Sequence, residues 1–95
     1  MKLTEEHLKT ILGAYERLDL ATNKAIEVGC LDPTGSLYDA IWRGFDDMLE
    51  VVDPHDWITW YIYDNAMGKN GFEVEVGSKK LKVKNIKNLL EVMNA

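Results

Sequence analysis

Apolar side chains recur at helical spacing through the first quarter of the chain, where Leu8, Ile11, Leu12, Tyr15, Leu18, Ala25 and Ile26 form one stripe. The pattern predicts a long amphipathic helix. Thr4, followed by Glu5 and Glu6, supplies an N-cap and first-turn acids, and Gly29 offers a left-handed terminator before a loop at Asp32-Pro33-Thr34-Gly35. A second helix is expected from Ser36, whose hydroxyl caps the turn ahead of Asp39. Tyr38, Ile41, Trp42, Phe45, Met48, Leu49 and Val52 occupy its apolar arc, which leaves Asp39, Arg43, Asp46, Asp47 and Glu50 as a mostly acidic stripe. Asp53-Pro54 reads as an N-cap with proline at the first helical position, so a third helix should follow after a tight corner and end at Gly68. That helix is apolar nearly all round, with Trp57, Trp60 and Tyr61 on one side and Ile58 and Ile62 on another. Such a helix is sandwiched, or covered in part by a partner.

Beyond Lys69-Asn70-Gly71 the period changes from helical to alternating. Phe72, Val74 and Val76 alternate with Glu73 and Glu75, and Leu81 and Val83 with Lys80, Lys82 and Lys84. A turn at Gly77-Ser78 sets Phe72 opposite Val83 and Val74 opposite Leu81 on one face, with Glu73 opposite Lys82 and Glu75 opposite Lys80 on the other. Asn85 then caps a short helix striped by Ile86, Leu89, Leu90 and Met93. The expectation is an α+β fold in which three helices, a two-stranded antiparallel hairpin and a C-terminal helix surround one core. Its 95 residues, 46% of them hydrophobic, suffice for a single domain, residues 1–95.

The formal charge of −5 is unevenly spread: residues 1–68 carry thirteen acids against five bases, and residues 69–95 three acids against six bases. An acidic body repels nucleic acid and anionic bilayers and suits a basic protein partner. The absence of an apolar leader or a membrane-length apolar run, with one cysteine and so no internal disulfide framework, leads to the expectation of a cytoplasmic protein.

No motif specifies a reaction, and no catalytic residue, metal ligand set or cofactor is assigned. The acids Asp46, Asp47, Glu50, Asp53 and Asp56 lack calcium-loop spacing, and His7 and His55 belong to no zinc pattern. Cys30 has no histidine beside it in sequence and is expected to be an inert, buried or half-buried thiol. Asp64 falls on the Trp57–Trp60–Tyr61 side of the third helix. There it either pairs internally, with an indole N–H or near the helix end, or forms the polar centre of an aromatic patch that receives a partner's arginine. Three helices followed by a lysine-bearing hairpin also follow the winged-helix order, yet the third helix carries no basic residue to meet base edges.

The run from Trp57 to Asn65, followed by Gly68-Lys69-Asn70-Gly71-Phe72-Glu73, resembles a pattern in short accessory proteins of tailed bacteriophages and prophages. The resemblance covers about a fifth of the chain. It implies an origin more than an activity. Such accessory proteins often act by binding a host machine, small acidic inhibitors of CRISPR interference and other defence systems among them. The expectation is a non-enzymatic protein of this kind in the bacterial cytoplasm. On this reading an acidic face blocks the basic nucleic-acid channel of a host nucleoprotein complex. The expected contacts are Asp39, Asp46, Asp47, Glu50 and Asp56 for charge, with Trp57, Trp60 and Asp64 for specificity. The alternatives are a winged-helix-like DNA-binding regulator, or a phage structural or accessory protein that forms a homodimer through its aromatic face.

Overall fold

Helix α1 (Glu5–Glu27) starts where the Thr4 hydroxyl accepts the His7 N–H and the His7 ring nitrogen Nδ1 accepts the Thr4 N–H, both at 3.1 Å. His7 thus fills the place usually held by Glu or Gln in a reciprocal capping box. The helix ends at Val28 and Gly29, the latter at φ 79°. The computed structural model describes residues 2–53 and 55–95.

Helix α2 spans Ser36–Val52. Its N-cap is Gly35, without a side-chain cap, and not Ser36, which is already helical. The Asp32 carboxylate organises this turn instead, accepting the Thr34 N–H at 2.9 Å and the Thr34 hydroxyl at 2.8 Å. These bonds to the charged form hold the Asp32 pKa below its ordinary value.

Helix α3 (Trp57–Ala66) begins three residues after the expected Pro54, which lies outside the described residues. Asp56 occupies the left-handed region (φ 59°, ψ 22°) and interrupts the helical path at the corner. Asp53 still performs the capping chemistry from further upstream, since its two oxygens accept the N–H groups of Trp57 at 3.0 Å and Ile58 at 2.7 Å.

Strands β1 (Phe72–Val76) and β2 (Lys79–Val83) pair antiparallel in the expected register, Phe72 with Val83 through Val76 with Lys79. Helix α4 (Ile86–Met93) is capped by the Asn85 side chain and buries Leu89 and Val92, so Val92 joins the stripe read from sequence. The fold is α+β, with α4 packed against β2, α1 and α3. Leu8, Leu49, Ile58, Val74, Val83, Leu89 and Val92 converge in the core. Asn94 ties the two ends of the described chain together by accepting the Leu3 N–H and donating to the Leu3 carbonyl, at 3.0 and 2.8 Å.

The molecule is elongated, at 48 × 29 × 22 Å with a radius of gyration of 15.0 Å. A compact chain of this length has a radius of about 12 Å. One expected burial is overturned at its surface, since Cys30 is exposed in the turn after α1; Met48, on the apolar arc of α2, is exposed as well. The turn holds Cys30 by its backbone, whose N–H reaches the Ala25 carbonyl, and leaves the thiol in solvent. Among the described residues no helix is long and apolar enough to cross a membrane.

Candidate partner-binding surface

Helix α3 presents two different faces. Ile58, Tyr61 and Asp64 turn inward, while Trp60, Tyr63 and Met67 stand 60%, 57% and 67% exposed. Trp60 and Tyr61, one residue apart and grouped together in the sequence reading, therefore separate, with Tyr61 in the core and Trp60 in solvent. Trp57 is half-buried against the core and carries the His55 ring stacked on it, with centroids 4.6 Å apart and planes at 23°.

Three recesses share lining residues along α3. One lies between the start of α3 and β1 and is lined by His55, Trp57, Trp60, Phe72, Glu73 and Glu75. The next is shared by Trp60, Tyr63, Met67, Lys69 and Phe72. The third is an aromatic cup of about 260 Å³, to which α1 gives Tyr15 and Asp19, α2 gives Tyr38, Trp42, Phe45 and Asp46, and α3 gives Ile62 and Tyr63. Trp60 and Phe72 join the first two recesses, and Tyr63 joins the second to the cup.

The cup rests on an interhelical ring cluster. Tyr15 meets Trp42 at 5.4 Å and Phe45 at 5.9 Å between centroids, and Trp42 meets Phe45 edge-on at 6.1 Å. Tilted and edge-on contacts of this kind favour the ring quadrupoles and hold α1 to α2. Burial, followed by repulsion from Asp19, Tyr63 and Tyr38, pushes the Tyr15 phenol above its ordinary pKa. The Trp42 indole N–H is buried without an acceptor among the described residues.

The expected acidic contacts divide. Asp46 lines the cup, Asp47 and Glu50 are exposed on α2 outside the recesses, and Asp56 is exposed at the corner before α3. The Asp39 carboxylate forms an exposed ion pair with Arg43, Oδ2 to Nε at 2.8 Å, so one α2 acid already has a cation. Asp64 takes the internal option: it is 8% exposed, and its Oδ2 accepts the Gly71 N–H at 3.1 Å. Its carboxylate closes the turn between α3 and β1 and also lines the recess shared by Trp60, Tyr63 and Met67. Among the described residues no group of three or more His, Cys, Asp or Glu side chains is placed to hold a metal ion.

Sequence reading did not single out Asp19 or Tyr63, and it assigned Tyr15 and Tyr38 to apolar stripes. The available signal was local: Tyr15 and Asp19, like Tyr38 and Trp42, stand four residues apart on one helical face. Their convergence across three helices has no local signature. Comparison of the chain with protein families, with curated proteins and with solved structures yields no match.

Proposed function

We propose that this chain is a non-enzymatic binding protein for a partner with a basic surface, engaged through the exposed face of α3 and the carboxylates beside it. The observation that carries the reading is the Trp60–Tyr63–Met67 stripe, three large apolar side chains mostly in solvent and flanked by recesses whose rims bear Asp19, Asp46, Glu73 and Glu75. Exposed aromatics with adjacent charge are the composition of a binding hot spot and its rim. The narrower reading is a phage-type inhibitor that occupies the nucleic-acid channel of a host defence complex. Its support is the resemblance noted in sequence and the exposure of the α2 carboxylates Asp47 and Glu50, whose charge has the sign of a phosphate's.

The test is parallel capture from bacterial lysate with tagged wild type and a variant carrying Asp39→Asn, Asp46→Asn, Asp47→Asn and Glu50→Gln. The expected result is one basic or nucleic-acid-handling complex recovered by wild type and lost with the variant, whose thermal unfolding stays near wild type because all four side chains are exposed. Undiminished recovery by the variant at low salt overturns the charge-based reading. A shift of duplex DNA abolished by neutralising Lys79, Lys80 and Lys82 transfers the assignment to a winged-helix-like regulator.

A further inference from the structure

We infer that the aromatic cup between α1, α2 and α3 receives a single arginine side chain from that basic partner, an inference that rests on the binding reading above and gives it a specific contact. The cup has the size for a side-chain end. Its volume of about 260 Å³ lies below the roughly 300–1,000 Å³ of sites that enclose a whole small molecule. It is lined by Tyr63, the middle residue of the exposed Trp60–Tyr63–Met67 stripe, so a segment lying along that stripe passes beside it.

The lining selects a flat cation. Trp42, Phe45 and three tyrosines present ring faces, edges and phenol groups, while Asp19 and Asp46 supply negative charge. No lysine, arginine or histidine lines the cup, and neither Asp19 nor Asp46 has a salt-bridge partner among the described residues. Arg43, the cation nearest in sequence on α2, is engaged by Asp39. The phenol of Tyr15 senses the same field, since Asp19 adds to its resistance to ionisation. A guanidinium answers the rings, the phenol oxygens and the carboxylates together. It stacks on aromatic rings, and its fixed fork of N–H donors reaches a carboxylate and phenol oxygens together, whereas a lysine ammonium is a compact, strongly hydrated point charge.

The experiment titrates the intact protein with a capped peptide carrying one arginine in an otherwise uncharged sequence, against its lysine and citrulline counterparts, and follows side-chain ring resonances by NMR. With the arginine peptide, the rings of Tyr15, Tyr38, Trp42 and Tyr63 shift saturably; lysine binds about tenfold more weakly, and citrulline, isosteric but uncharged, leaves them in place. Asp19→Asn, a near-isosteric change, weakens arginine binding about tenfold while amide resonances away from the cup keep their positions. Glu91→Gln, exposed on α4, which gives no residue to the cup, leaves the ring shifts unchanged. Equal shifts with citrulline, or full affinity in Asp19→Asn, overturn the inference. Saturable arginine binding confined to the outer α2 face removes the cup and leaves the basic-partner reading standing. Absence of any saturable arginine binding, together with partner capture indifferent to the α2 acids, overturns both.

Discussion

At Asp53 one buried carboxylate joins the end of α2 to the start of α3, accepting the Trp57 and Ile58 N–H groups while only 1% exposed. Burial is the leading influence on its pKa and pushes it up, against the lowering pull of the Ile58 and Trp57 N–H groups. An acid whose folded-state pKa is raised holds its proton more tightly in the native protein. Its contribution to stability is therefore full below the ordinary carboxylate value, about 4, and is lost as pH rises through the higher folded value. Asp53→Asn removes this titration and leaves two N–H donors with one acceptor oxygen. It is expected to cost about 1–3 kcal/mol, with a wider gap from wild type near pH 4 than near pH 7, as urea unfolding at both pH values would measure. Asp53 was legible in sequence as a helix-start residue because Asp before Pro is a strong local signal. That it works from four and five residues upstream was not, because the left-handed Asp56 belongs to the corner between two packed helices.

Among the elements, the hairpin follows most directly from its own pattern, since a period of two leaves no freedom in which residues face the core. Its junction with α3 depends on Gly71, at φ 100°, where an added Cβ meets the Val83 carbonyl oxygen at 2.8 Å. Gly71→Ala combines an unfavourable backbone conformation with backbone contact, and it displaces the N–H held by Asp64. The expected cost is about 2–4 kcal/mol, read as a lower urea midpoint with an unchanged slope. The start of α2 went the other way. Ser36 is a good capping residue by type, yet Asp32 and Thr34 close the preceding loop one residue earlier and leave Gly35 at the cap. Two adjacent capping solutions differ by a few tenths of a kcal/mol at most, so local chemistry did not choose between them.

In the molecule as a whole, the core contacts of α3 and the surface proposed for recognition lie on opposite faces of the helix. Ile58 is fully buried and Trp60 is 60% exposed, two positions apart. Ile58→Ala is expected to cost about 2–5 kcal/mol, and Trp60→Ala to stay within about 0.5 kcal/mol of wild type. Partner capture should instead fail with Trp60→Ala, a separation that thermal unfolding and pull-down on the same two variants would check. Hydrophobic periodicity was enough to specify four helices, one hairpin, its register and most of the core, because each depends on spacing within one short segment. Neither the division of the aromatic run into Tyr61 inside and Trp60 outside, nor the exposure of Cys30, nor the internal use of Asp64 followed from that spacing. A helix that is apolar on every side has no intrinsic inward direction. Only the packing of α3 against the hairpin and α4 gives it one, and only the tertiary fold brings Tyr15, Asp19, Trp42, Asp46 and Tyr63, from three separate helices, around one cup.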